Sequence, residues 1–193
     1  MFRRSRHTAA PTRLPDDQLS IAWQVCSLLL DYPSEALLAR LELARRAASE
    51  LPAYLAEPVC RVVDHLESTP LGQVQRDFVE TFDHTRRGCL YLTYFTTGDT
   101  RKRGVALVRL KQAYRRAGVE LTSGELPDHL AVVLEFGATA DIEAAWRILN
   151  DYRASIEVLR ISLQEKNSPW ADAVVAISRT LPELAGDDAE AIA

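Results

Sequence analysis

The sequence lacks the paired cysteines of a metal site or a redox motif. Its three cysteines, Cys26, Cys60 and Cys89, occur without a CxxC motif and without a Cys/His cluster at metal-ligand spacing. The hydrophobic fraction of 47% in a chain of 193 residues is enough to form a core without disulfides. We therefore expect reduced, mostly buried thiols in a cytoplasmic protein that holds no metal.

A long apolar run is also missing. The longest one, residues 25–30, is interrupted by a serine and is far shorter than the roughly 20 residues that a membrane span needs. Arg3 and Arg4 stand near the N terminus, but residues 8–17 are small, polar and interrupted by proline, unlike the apolar stretch of an export signal. We predict a protein that does not cross a membrane, with a flexible basic tail over residues 1–14.

Motifs for nucleotide binding and catalysis are absent as well. The stretch TTGDTRKRG, residues 96–104, lacks the GxxxxGK[ST] arrangement of a phosphate-binding loop, and its aspartate would repel a phosphate. No HExxH motif occurs anywhere in the chain. A phosphate-binding loop of this type is therefore not expected.

Apolar residues do recur at helical spacing along most of the chain. In the first half, the predicted helices are one from about Leu19 that ends before Pro33, one capped by Ser34, one with Pro58 in its first turn, and one beginning at Ser68 to Pro70. In the second half, they are one over residues 100–117 that ends at Gly118, one from Pro127 to about Gly137, one of six turns from Ile142 to Leu163, and a last one beginning at Ser168 and Pro169. This pattern predicts an all-α, single-domain helical bundle over residues 15–183, followed by an acidic tail over residues 184–193.

One segment, residues 91–97, has the composition of a strand. An isolated strand has no partner for its backbone, so we assign the segment to the end of a buried helix, followed by a turn at Gly98 and Asp99.

Charge is distributed unevenly along the chain. Residues 1–85 carry a net charge of −3, residues 86–116 carry +8, and residues 117–193 carry −9. A helix over residues 101–117 has one apolar face and one basic face. The basic face comprises Arg101, Lys102, Arg109, Lys111, Arg115 and Arg116.

The basic face has two interpretations, a solvated surface or a surface that attracts an acidic partner. Nucleic acid is the weaker alternative, because both flanking segments are acidic and no nucleic-acid-binding motif occurs. Arg103 falls near the apolar side of the helix, so it needs a carboxylate partner, either Asp99 or an acid from the second half of the chain.

The stretch ELPDHL, residues 125–130, is a second polar cluster. Asp128 could satisfy free N–H groups in the first helical turn after Pro127. Asp128 and His129 could act as an acid/base pair, bind a metal together with Glu125, or orient a bound segment at the mouth of a groove. Catalysis is disfavoured because neighbouring helical side chains point about 100° apart. The aromatic residues Phe82, Tyr91 and Tyr94 fit either the core or the wall of a peptide groove.

Three stretches, in this order and spacing, carry a resemblance to a known family. They are AWQVCSLLLDYPSE, FVETFDHTRRGCLYLTYFTTGDTRKRG and ELPDHLAVVLEF. Together they resemble the nitrate reductase assembly chaperones, called NarJ, of the wider TorD/DmsD-type redox enzyme maturation family, over roughly residues 18–180. The long central stretch is similar to the nitrate reductase branch, whereas PDH is shared by the wider family.

The resemblance implies an all-helical, non-enzymatic chaperone that keeps no cofactor. Its expected partner is the apoprotein of the catalytic (alpha) subunit of nitrate reductase, bound through that subunit's N-terminal segment until the molybdenum cofactor is inserted; cofactor-delivery proteins are further candidates. Contact with the membrane would occur only through this client. The residues matching the family's client-binding hinge are Glu125, Pro127, Asp128 and His129, with Phe82, Tyr91 and Tyr94 as expected apolar contacts.

Three alternatives stay open at this point. The first is a maturation chaperone for another molybdoenzyme, and the second is a nucleic-acid-binding module that uses the basic helix. The third is a hydrolase that uses Asp128 and His129, although no supporting nucleophile is evident.

Overall fold

The computed structural model describes residues 13–83, 86–97, 101–121 and 124–184. The described helices are α1 (Asp16–Leu29), α2 (Glu35–Leu38), α3 (Leu41–Ala48), α4 (Ala53–Ser68), α5 (Leu71–Phe82), α6 (Leu92–Thr97), α7 (Arg101–Arg116), α8 (Leu130–Thr139), α9 (Ile142–Asp151), α10 (Arg153–Glu165) and α11 (Ala171–Thr180), with a short 3-10 turn at Arg86–Gly88. Within these ranges the only β-type pairing is an isolated bridge between Tyr91 and His129. The predicted all-α fold class is confirmed.

Helix starts follow from local chemistry. Pro15, Pro52 and Pro70 directly precede α1, α4 and α5 and hold the extended backbone that leads into each helix. The predicted cap of α2 is confirmed, since the Ser34 hydroxyl accepts a hydrogen bond from the backbone N–H of Leu37 at 3.2 Å. Gly118 ends α7 with a φ of 77°, a conformation that glycine adopts without strain.

Helix α1 lies at the centre of the bundle. It packs mainly against α8 and also contacts α11, α3 and α4. Trp23 and Cys26 of α1 are fully buried, and the Trp23 indole N–H donates to the Thr180 hydroxyl at 3.0 Å. The close approach of α8 depends on Gly137, because a Cβ there would lie 2.6 Å from a ring carbon of Trp23.

All three cysteines are free thiols. Cys26 is buried, and its burial raises the pKa of its thiol to about 12, whereas Cys60 and Cys89 are half-buried. The expectation of mostly buried thiols therefore holds fully only for Cys26.

Two predicted helices prove to be broken. The expected six-turn helix is interrupted at Tyr152, which separates α9 from α10, and the helix after Ser34 divides into α2 and α3. In both cases the apolar stripe continues across the break, because the successive helices bury their faces in the same core. Periodicity records which side of a segment is buried, but it does not record a change in the direction of the helix axis.

The predicted position of Pro58 is wrong. It lies in the interior of α4, where proline cannot donate the usual hydrogen bond to the carbonyl of Tyr54. The Arg179 guanidinium of α11 donates to that carbonyl instead, at 2.6 Å. Nearby, Arg61 forms two hydrogen bonds with Asp172, at 2.7 and 2.8 Å, so these contacts join α4 and α11 along their length.

Two boundaries also differ from the prediction. Helix α8 begins at Leu130 rather than at Pro127, and Pro127 and Asp128 form a turn before it. Residues 92–97 form their own short helix after the 3-10 turn rather than the end of a longer one. The predicted turn at Gly98 and Asp99 lies outside the described residues, as do residues 1–12 and 185–193 of the two predicted tails, so the tail and domain limits stay predictions.

No helix in the described part of the chain combines the length and apolarity of a membrane span.

Candidate functional site

The two stretches that carried most of the sequence resemblance meet in space. The N–H of Leu92 donates to the Asp128 carbonyl at 2.9 Å, and the N–H of Leu130 donates to the Leu90 carbonyl at 2.8 Å. These two bonds flank the antiparallel bridge between Tyr91 and His129. The backbone before α6 is thereby joined to the turn before α8.

Asp128 is fully buried beneath this bridge. Its Oδ2 atom accepts hydrogen bonds from the Thr93 hydroxyl at 2.5 Å and from Arg103 Nη2 at 3.4 Å. Arg103 Nε donates to the Thr93 hydroxyl at 3.1 Å, and its guanidinium lies 5.7 Å from the centre of the Tyr91 ring. Of the two partners predicted for Arg103, the acid from the second half of the chain is observed as Asp128, and Asp99 lies outside the described residues.

The prediction that Asp128 satisfies N–H groups of the helix that follows it is wrong. Helix α8 begins only at Leu130, and Asp128 Oδ2 instead accepts the backbone N–H of Thr93, in the first turn of α6, at 3.4 Å. The acid/base alternative also lacks its hydrogen bond, because none joins the carboxylate of Asp128 to the imidazole of His129 in the described residues. Asp128 thus links α6, α7 and the turn before α8.

His129 lies at the surface end of the bridge. Its imidazole packs edge-on against Tyr91, with the ring centres 5.3 Å apart. Burial lowers the pKa of His129 below its ordinary value, although the carboxylates of Asp31, Asp128, Glu125 and Asp83 oppose this effect. The side chain therefore favours the neutral form, which can both donate and accept one hydrogen bond.

His129 and Tyr91 form one wall of a cavity of about 270 Å³. The opposite wall is the end of α1, and the other sides come from the loop at residues 124–126 and from α8. We call this space the acidic cavity, because its lining includes the carboxylates of Asp31, Glu125 and Glu135 against one guanidinium, Arg40. The excess of carboxylates favours a cationic group in it.

The structure separates the residues proposed from sequence. Tyr91, Glu125 and His129 line the acidic cavity, whereas Pro127 and Asp128 are buried behind it. The Tyr114 hydroxyl donates to the Pro127 carbonyl at 2.6 Å, which holds the turn against α7. Phe82 and Tyr94 do not line the cavity.

Phe82 belongs to the core. Its side chain is 5% exposed and packs with Phe78 and Trp170, with ring centres 4.6 and 5.6 Å away. Tyr94 is half-buried and contacts Phe95 edge-on. Of the two interpretations given to the aromatic residues, core packing holds for Phe82.

Several lining residues were missed by the sequence reasoning. Asp31 and Arg40 follow the end of α1 in the chain, and Glu135 lies on α8. Asp31 and Glu135 do occur inside the stretches that resemble the family, but no spacing rule connects them. They come together only because α1 packs along α8.

The basic helix has the predicted orientation. Leu110 and Tyr114 of α7 are buried. All six residues of the predicted basic face are exposed, namely Arg101, Lys102, Arg109, Lys111, Arg115 and Arg116. In the ranges that the structure describes, no group of three His, Cys, Asp or Glu side chains is placed to hold a metal ion.

A solved structure has the same fold. A protein from Archaeoglobus fulgidus, described as a redox enzyme maturation protein, superposes with a TM-score of 0.61 and 21% identity, over 90% of this chain and 98% of that one. The two proteins thus share one all-α fold.

The family follows from sequence comparison. The family described as nitrate reductase delta subunit matches residues 44–176, and the chain belongs to this family. A Bacillus subtilis relative, named "Probable nitrate reductase molybdenum cofactor assembly chaperone NarJ", is 30% identical over 165 residues, which are 85% of this chain and 90% of the relative. The Escherichia coli K12 assembly chaperone NarJ is 32% identical over 150 residues, 76% of this chain and 64% of that one.

A longer relative is also similar. The nitrate reductase-like protein NarX of Mycobacterium tuberculosis H37Rv is 41% identical over 165 residues, which make up 85% of this chain and 25% of the relative. The chain therefore spans about a quarter of the length of this relative. The relatives named as assembly chaperones have a role without catalysis.

Proposed function

We propose that this protein is a cytoplasmic chaperone for respiratory nitrate reductase. It binds the N-terminal segment of the catalytic subunit's apoprotein, assists insertion of the molybdenum cofactor and assembly of the complex, and is absent from the final enzyme. Membership of the nitrate reductase delta subunit family and the names of the NarJ relatives support this role. Proteins that deliver the cofactor are further candidate partners. This protein contacts the membrane only through its client.

The acidic cavity is the observation that carries the client-binding part of the proposal. A client segment that forms an amphipathic helix could place a basic side chain near Asp31, Glu125 and Glu135, with its apolar side chains against Tyr91 and Leu126. The neutral imidazole of His129 could hydrogen-bond to the polar backbone at the end of such a segment. Asp128 supports this wall from behind rather than touching the client.

The test is isothermal calorimetry with a synthetic peptide of the catalytic subunit's N-terminal segment. We expect saturable binding to the full chain. The triple variant Asp31→Asn, Glu125→Gln and Glu135→Gln should weaken binding about tenfold or more, because it removes the charges that attract the client. A matched triple variant, Asp17→Asn, Glu50→Gln and Glu165→Gln, removes three exposed carboxylates outside the cavity and should change the affinity less than about twofold.

A further variant tests whether Asp128 supports the cavity wall or contacts the client itself. Asp128→Asn removes the charge beneath the bridge and weakens the contacts with Thr93 and Arg103, so we expect the unfolding free energy to fall by about 2 kcal/mol. Peptide affinity, measured where the variant is still folded, should change less than in the cavity variant. An absence of peptide binding at tens of micromolar protein would contradict the proposal.

The identity of the client is tested separately. The tagged protein, purified from cells grown anaerobically with nitrate, should bring the nitrate reductase catalytic subunit with it. Copurification of a different molybdoenzyme in its place would keep the chaperone role but would replace the client.

A further inference from the structure

A second cavity lies between α7 and α9. It has a volume of about 300 Å³ and shares no lining residue with the acidic cavity. Its α7 side extends from Ala106 to Arg116, and its α9 side extends from Asp141 to Asp151. Ten residues of helix span about 15 Å, so the cavity is a groove about three helical turns long. We call it the α7/α9 groove.

The floor of the α7/α9 groove is apolar. Leu110 and Ile148 are buried beneath it, and Ala113 and Ala144 contribute only methyl groups. Small side chains on both helices allow another backbone to approach closely, and Tyr152 offers an aromatic edge at the junction of α9 and α10. A floor of this kind suits the apolar face of a helix.

The rim of the groove is mainly cationic. Arg109, Arg116 and Arg147 are exposed along it, and none of them forms an ion pair with another described residue. Helix α7 contains no acidic residue at all. On the α9 side the rim also carries two carboxylates, Asp151 and Asp141, of which Asp141 accepts the N–H of Ala144 at 2.8 Å.

We propose that the α7/α9 groove docks an acidic amphipathic helix of a protein partner. Apolar side chains at positions i, i+4 and i+7 of this helix would contact the floor, while carboxylates on either side of that stripe would pair with the three arginines. Such pairs are strongest as bidentate Arg–carboxylate contacts, for which the free guanidinium groups are suited.

Nucleic acid fits the groove less well than an acidic helix. A nucleic-acid backbone carries a negative charge at every phosphate, so some phosphates would lie against Asp141 and Asp151, whereas a helix can place its carboxylates only opposite the three arginines. The apolar floor would also have no counterpart in a phosphate backbone. This proposal does not depend on the acidic cavity or on the identity of the client.

The experiment measures fluorescence anisotropy with the full chain. The probe is a fluorescein-labelled synthetic peptide of about four helical turns, with Leu at i, i+4 and i+7 and Glu at the flanking positions. A second peptide has the same composition in scrambled order, so that its leucines do not share one face. We expect saturable binding of the first peptide and at least about fivefold weaker binding of the second.

Protein variants locate the binding site. The double variant Arg109→Ala and Arg147→Ala should bind the ordered peptide about tenfold or more weakly than the unchanged protein does. The control double variant Arg46→Ala and Lys166→Ala also removes two exposed cations and should change this affinity less than about twofold. The triple variant of the acidic cavity should bind the probe as the unchanged protein does. Equal urea unfolding midpoints for the two double variants and the unchanged protein would show that folding is unaffected.

Three outcomes would overturn the proposal. They are the absence of binding by the ordered peptide, equal binding by the scrambled peptide, and equal loss in the two cation variants. Tighter binding of a labelled single-stranded or duplex oligonucleotide, lost in the Arg109 and Arg147 variant and falling steeply with salt, would assign the groove to nucleic acid instead.

Discussion

Asp128 shows how burial determines the role of a single side chain. In the sequence it follows a proline and precedes an apolar run, which favours a helix cap. In the structure its carboxylate contacts Thr93 and Arg103, which lie 35 and 25 residues earlier in the chain. The polarity of the residue was evident from the sequence, but its partners depend on the pairing of residues 90–92 with residues 128–130.

His129 leads to a prediction about pH. Burial lowers the folded-state pKa of His129 below the ordinary value of about 6.5. As the pH falls below that value, the imidazole is therefore protonated more in the unfolded chain than in the folded chain. The contribution of His129 to stability is therefore complete above about pH 6.5 and is lost as the pH falls toward its folded-state pKa. We expect His129→Gln to lose less unfolding free energy than the unchanged protein between about pH 7.5 and pH 5.5.

Urea unfolding at both pH values measures this difference. The informative quantity is the change between the two pH values within each protein, because the substitution also shifts the stability at a given pH. Equal changes in the variant and in the unchanged protein would mean that His129 does not titrate differently on folding.

At the scale of elements, two glycines illustrate opposite requirements. Gly137 of α8 faces α1, and an added Cβ would lie 2.6 Å from the Cβ of Ala145 and 2.6 Å from a ring carbon of Trp23. Gly104 of α7 has no atom within 4 Å of the corresponding position. Gly137 therefore allows α1, α8 and α9 to approach closely, whereas Gly104 is a helix residue without a packing role.

The same substitution at these two positions should have effects of opposite sign. Gly137→Ala should lower the unfolding free energy by about 2–3 kcal/mol, because the helices must move apart. Gly104→Ala should raise it by about 0.5–1 kcal/mol, because alanine restricts the unfolded chain more than glycine does. Urea denaturation followed by far-UV circular dichroism measures both, and a similar loss in the two variants would contradict the packing argument.

The helix breaks belong to the same scale. Helix α10 is tied to α11 by Glu157, which accepts hydrogen bonds from Arg153, Arg160 and the Ser178 hydroxyl. These contacts orient α10 independently of α9, although one apolar stripe runs through both. Helix content and the buried faces could be predicted from the sequence, but the separate orientation of α10 depends on its contacts with α11.

At the scale of the whole molecule, two surfaces of opposite charge share no residue. The acidic cavity lies at the end of α1, next to the bridge, and the α7/α9 groove lies on the basic helix. A client segment and an acidic helix should therefore bind at the same time. Their charges differ in sign, so neither ligand suits the other site.

Calorimetry with both peptides tests this independence. With the acidic probe peptide at saturation, the dissociation constant of the client peptide should change less than about twofold, because no lining residue is shared. Raising the salt concentration should weaken both interactions, since each pairs opposite charges at an exposed site. Mutual exclusion of the two peptides would show that the sites overlap or are coupled.

The sequence by itself determined the all-α class, the exposed basic face of α7 and the family, because helical periodicity, charge and motif spacing are properties of local segments. The sequence also predicted that Arg103 has a carboxylate partner, but it did not identify this partner as Asp128. Only the tertiary structure decided that Asp31, Glu125, Glu135, Tyr91 and His129 share one cavity while Phe82 lies in the core. These contacts join distant parts of the chain, and they depend on how α1 and α8 pack and on the backbone pairing that joins residues 90–92 to residues 128–130.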